Sequence, residues 1–159
     1  MIEQDTIKLL RECDAGVKMG VKSIDDVLDS VKEEKLKQCL TKCKDDHIKL
    51  DSELHLLLTR YEDEGKDPAM MAETMSWMKT NMKMMMDDSD KTIADLMTDG
   101  ANMGVKSLTR YLNQYKAADE TSKRIAKRLI HLEEQLACVL RSFFVKTLVF
   151  QWIYLIISV

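Results

Sequence analysis

The chain has 159 residues, 45% of them hydrophobic and 32% charged, with a formal net charge of −3 and a pI near 5.7. That length suits one domain around a single core, and the balance is too apolar for disorder. The net charge excludes a general attraction to nucleic acid, and basic residues alternate with acids, as in Lys32-Glu33-Glu34-Lys35. One proline and five glycines leave few breaks in the backbone, which favours long helices over strands joined by tight turns.

The N-terminus, Met1-Ile2-Glu3-Gln4-Asp5, lacks a basic stretch followed by an apolar one, so no signal peptide is read and a cytoplasmic location is expected. Cys13, Cys39, Cys43 and Cys138 number enough for two disulfides, but reduced, packed thiols are the expectation inside a cell. From about Asp5 to Val31, the residues Leu10, Cys13, Val17, Gly20, Ile24, Val27 and Val31 recur at three- and four-residue spacing, an amphipathic helical stripe. A second stripe follows the charged run: Leu36, Leu40, Cys43, His47, Leu50, Leu54, Leu57 and Tyr61. Gly65 is the expected C-terminal cap of that helix.

Asp67-Pro68 reads as an N-cap followed by proline at the first helical position, opening a short helix striped with Met71, Met75, Met78, Met82 and Met85. Asp87 to Asp90 break it and cap the next helix, which carries Ile93, Met97, Gly100, Gly104, Leu108, Tyr111 and Tyr115. Ala117-Ala118-Asp119 is the predicted turn into a last helix with Ile125, Leu129, Leu132, Leu136, Leu140 and Phe143. The acids Asp14, Asp46, Asp99 and Glu133 fall off these stripes and are placed outside.

Two of the helices share a motif. The stretch from Gly16 to Ser23 matches that from Gly100 to Ser107 at six of eight positions, which reads as a duplicated helical hairpin. In the second helices, a constant offset pairs His47 with His131, whereas a shift of two residues aligns the apolar stripes better and puts Leu129 opposite His47.

Two hairpins joined by a long crossover resemble the ferritin-like four-helix bundle, over the whole chain to about Phe144. The stretches Asp67 to Met86 and Thr92 to Tyr115 are similar to small ferritin-like proteins of anaerobic bacteria for which no activity is established. The resemblance implies an all-α bundle at 1–144 and leaves an apolar tail at 145–159. It also implies a di-iron centre, whose ligands are a Glu on the first helix of each hairpin and Glu-x-x-His on the second. Lys44, Ser52 and Arg128 stand three residues before His47, His55 and His131, and Gly20 and Gly104 occupy the first-helix stripes. The ligand pattern of ferroxidase or oxygenase chemistry is therefore missing, as are phosphate loops, nucleophile elbows and His-Glu-x-x-His.

Three features remain as candidate sites. Gly16/Gly20 and Gly100/Gly104 lie one turn apart on their helices, where each glycine costs about 1 kcal/mol against alanine. They permit close helix approach or wall a small ligand cavity, with Lys22 and Lys106 either rimming it or solvated along the surface. Cys39, Cys43 and His47 stack along one helix face and offer soft ligands for copper or zinc, but three ligands on one helix do not close a tetrahedral shell. Without a metal, Cys43 is a small core residue and His47 a hydrogen-bonded core histidine. The methionine stripe is first a deformable packing surface and second a soft-metal or partner-binding face. Residues 147–159 are uncharged and apolar, shorter than the roughly 20 residues of a spanning helix, so a membrane anchor is disfavoured against helix extension or self-association. The function these features point to is non-catalytic binding or scaffolding without a cofactor. The alternative is soft-metal storage through Cys39, Cys43, His47 and the methionines.

Overall fold

The computed structural model describes the backbone of residues 2–66 and 89–157 and the side chains of residues 3–66 and 89–143. The methionine-striped segment and Pro68 lie outside the described residues, as do the side chains of the apolar tail. Within the described residues all regular structure is helical: α1 (Ile2–Leu28), α2 (Glu34–Arg60), α3 (Asp90–Gln114) and α4 (Glu120–Ile157).

The three- and four-residue stripes become the buried faces. Leu9, Leu10, Cys13, Val17, Ile24 and Val27 are sealed on α1, and Leu36, Leu40, Cys43, His47, Leu50, Leu54 and Leu58 are buried on α2. Leu58 takes the place expected for Leu57 and Tyr61, which are half-buried. α1 stops at Leu28, three residues before the expected end, although Val31 stays buried after the turn.

Gly65 is not the cap of α2. Glu62 takes the left-handed conformation (φ 53°) instead, its N–H donating to the Thr59 carbonyl and that of Asp63 to the Leu58 carbonyl. This paired bonding closes the last helical carbonyls. Gly65 has a φ of 90° further on, where a side chain would run into the Asp14 carboxylate. Asp14 itself is 4% exposed, accepting from Lys18 Nζ and the Lys66 N–H, so its expected outward position is corrected.

α3 begins at Ser89, whose hydroxyl accepts from the Thr92 N–H. The Asp90 carboxylate accepts from the N–H groups of Lys32 and Glu33, fixing the start of α3 beside the turn between α1 and α2. The predicted turn at Ala117-Ala118-Asp119 is present. Its Asp119 accepts from the Ser122 N–H as the cap of α4, while its own N–H donates to Thr6 on α1. α4 runs on to Ile157 with no break near residue 144.

These anchors set the topology. α2 ends near the start of α1, where Arg11 grips Asp63, whereas α3 begins at the far end of α1. Lys66 thus lies beside the middle of α1, against Glu12 and Asp14, whereas Asp90 holds the start of α3 at the turn that follows α1. α1 packs chiefly on α2 and α3 chiefly on α4, with α1–α3 and α2–α4 closing the square. Two apolar clusters fill the ends: Leu9, Val17, Leu54, Leu108 and Ile125 at one, Ile24, Leu40, Ile93, Met97 and Leu140 at the other. Among the described residues no helix is long and apolar enough to cross a membrane.

Candidate functional site

Between the two apolar clusters the core changes character. His47 sits on the α2 stripe between Cys43 and Leu50, so the helical repeat turns it inward, and it is wholly buried. An imidazole cut off from water needs partners on both nitrogens. Nδ1 lies 2.8 Å from the Cys43 carbonyl, and Nε2 lies 3.0 Å from Oε1 of Glu133 on α4. Glu133 is only 7% exposed, which corrects its expected outward placement.

Both neighbours of the ring are acceptors, so an imidazolium donating twice satisfies the geometry without further rearrangement. Burial alone would push its pKa down. The contacts with Cys43 and Glu133 outweigh that, and the pKa is pushed up to about 10. The centre of the bundle therefore holds a buried His47–Glu133 ion pair.

The repeated glycines make room for it. A Cβ on Gly20 would lie 2.5 Å from His47 Nε2, closer than any side chain tolerates. On Gly104 a Cβ would lie 3.4 Å from Glu133 Cγ, and on Gly16 it would lie 3.3 Å from Leu129 Cδ2. At Gly100 a Cβ would meet nothing within 4 Å among the described residues. Leu129, which the alignment of the two hairpins by their stripes sets opposite His47, stands against Gly16, one turn from the pair. His131 is exposed.

All four glycines border a cleft of about 160 Å³ between α1 and α3. His47 and Glu133 form its inner wall, Met19 and Leu108 contribute apolar surface, and Lys66 with Glu12, paired at 2.7 Å, closes one end. Among the described residues none donates a hydrogen bond to Glu133 Oε2; that oxygen is not sealed off, and Glu133 lines the cleft. Ser107 lines the cleft as well.

The other sequence candidates scatter. Cys43 Sγ stands 3.6 Å from His47 Nδ1, but Cys39 lies one turn away, half-buried against the neighbouring apolar cluster. Among the described residues no three His, Cys, Asp or Glu side chains converge on a position that would hold a metal. All four cysteines are free thiols, and burial pushes the Cys13 thiol up to about 12, far from thiolate chemistry at neutral pH. Lys22 pairs with Asp26 on the surface, and Lys106 is exposed; neither lines the cleft, whose basic group is Lys66. Asp46 stays on the surface between Lys42 and Lys49, and Asp99 is exposed.

Glu133 and Lys66 are the two site residues the sequence reading missed. A signal for Glu133 existed, because a buried histidine in an apolar stripe demands a partner on a facing helix. Lys66 is in a loop, where periodicity carries no information. No protein-family model, curated protein or solved structure matches the chain.

Proposed function

We propose that this chain is a duplicated, ferritin-like helical bundle that acts as a non-catalytic cytoplasmic binding protein, with a small ligand held in the cleft between α1 and α3. The cleft carries the reading. Four mid-helix glycines border it, and at Gly100 no atom of the described residues within 4 Å requires the absence of a side chain. A helix that keeps glycine beside open space forgoes stability of about 1 kcal/mol, and preserving the space for a ligand gives that a reason.

The duplication is supported by the arrangement around the pair. Gly20 abuts His47 and Gly104 abuts Glu133, and the two polar residues are 86 positions apart. Each hairpin thus supplies one glycine-bearing helix and one polar side chain at a common level. Against di-iron chemistry stands the donor set: glycines where acids should project from α1 and α3, and one carboxylate already tied to a histidine. The soft-metal alternative has the Cys43–His47 contact in its favour, but Nδ1 would have to give up the Cys43 carbonyl to take a metal beside Sγ.

An NMR titration of the full chain with neutral fragments tests the proposal. The expected outcome is shifts at the amides of Gly16, Gly20, Gly100 and Gly104, lost when Gly100→Leu fills the cleft. A library that leaves those amides unmoved overturns the reading. Metal analysis of anaerobically purified protein tests the alternative: near-stoichiometric copper or zinc that disappears in Cys39→Ser/Cys43→Ser would displace the proposal.

A further inference from the structure

Given the binding function proposed above, the same cleft limits what can occupy it. Size comes first. A cavity of about 150 Å³ lined by aliphatic and aromatic side chains admits benzene, and this cleft measures about 160 Å³. A nucleotide or a long acyl chain is too large, whereas a single ring or a compact bicycle fits.

Shape comes second. Gly16 and Gly20 present bare backbone from α1, and Gly100 and Gly104 present it from α3. Walls without side chains are flat and close, which suits a planar ligand more than a branched one. Met19 and Leu108 add apolar, adaptable surface beside them.

Charge comes third. Among the described residues, the polar side chain that is nine-tenths buried, borders the cleft and retains an unused atom is Glu133, through Oε2. A carboxylate oxygen only accepts, so the ligand must donate. Glu133 is already balanced by His47, so a cationic ligand would bring an uncompensated charge into an apolar cleft. An anion would face the carboxylate directly. A neutral donor avoids both penalties.

We infer that the cleft binds a small, neutral, planar aromatic molecule bearing one hydrogen-bond donor, of the size of a phenol or an indole, with that donor on Glu133 Oε2. The hydroxyl or ring N–H seats at the inner wall and the hydrocarbon edge lies between the glycine faces. Hydrogen bonds to charged groups are the stronger kind, so the donor is expected to give at least roughly tenfold in affinity over a ring of equal size without it.

The test measures binding of phenol, anisole and toluene to the full chain by calorimetry and NMR. The expected result is phenol at least roughly tenfold tighter than toluene. Anisole, whose methyl removes the donor, should behave like toluene, and Gly100→Leu should abolish all three. Glu133→Gln should shrink the preference for phenol over toluene; if that variant does not fold, the anisole comparison in the wild-type chain decides. Equal binding of phenol and toluene at the glycine amides overturns the donor assignment while leaving the cleft as a binding site. Binding of none of the three overturns the ligand class, and fragments that also leave the glycine amides unmoved overturn the binding function with it. Phenol binding that survives Gly100→Leu unchanged places the site elsewhere and overturns both.

Discussion

The glycines of α1 and the glycines of α3 look alike in sequence and differ in what holds them. On α1, Gly20 is compelled: the His47 ring, bonded at both nitrogens, stands where a Cβ would go. Gly16 is nearly as tight against Leu129. On α3, Gly104 has ordinary contact distance to the Glu133 stem, and Gly100 has no neighbour within 4 Å among the described residues. A Gly-x-x-x-Gly spacing therefore reports that two small residues share a face, not why. The reason lies on the opposing helix, in whether the neighbour is rigid, flexible or absent.

Substitutions can break that contrast, and the largest effect is expected at Gly20. Gly20→Ala drives a methyl into a ring that cannot turn without losing two hydrogen bonds. The expected loss is roughly 3 kcal/mol, combining overpacking with a disrupted buried ion pair. Chemical denaturation measures it, and the same change in a His47→Ala background should cost much less. An unchanged stability would mean that the ring is not fixed where the geometry puts it.

The next effect is a pH dependence belonging to the same layer. His47 has a folded pKa of about 10 against an ordinary 6.5, so its protonated form is favoured by folding. Its contribution is fully present below about pH 6.5 and is lost as pH rises toward 10. Denaturation midpoints across that window, compared with His47→Gln, should fall more steeply in the wild-type chain.

On α3 the effects shrink and then change sign. Gly104→Leu should cost about 2 kcal/mol, because the added atoms crowd Glu133 but also find room in the cleft. Gly100→Ala should stabilise by about 0.5–1 kcal/mol through helix propensity alone. Thermal melting distinguishes the two, and a destabilised Gly100→Ala would erase the contrast between the helices.

Much of the fold was legible because long stripes at three- and four-residue spacing leave little choice of element. The ends were less so. Gly65 was expected to cap α2 because glycine enters the left-handed region without strain, yet Glu62 does it, since the helix runs out of buried positions at Leu58. The centre of the site was half legible. His47 was read as buried because it falls on an apolar stripe, and Glu133 was read as exposed because it is charged. Leu132 took its place in the expected stripe, although Leu129, Glu133, Leu136 and Leu140 keep the alternation seen at Cys43, His47, Leu50 and Leu54. Charge outvoted periodicity, and the buried partner on another helix is what reverses that vote.

The polar layer also decides how the bundle comes apart. Each apolar cluster draws on all four helices, so the natural seam runs across the helices at the level of His47 and Glu133 rather than between the hairpins. A hairpin alone owns about half of each cluster and only one member of the ion pair. Cooperative units in such a molecule are its two ends, and amide exchange would group residues by height along the bundle instead of by helix.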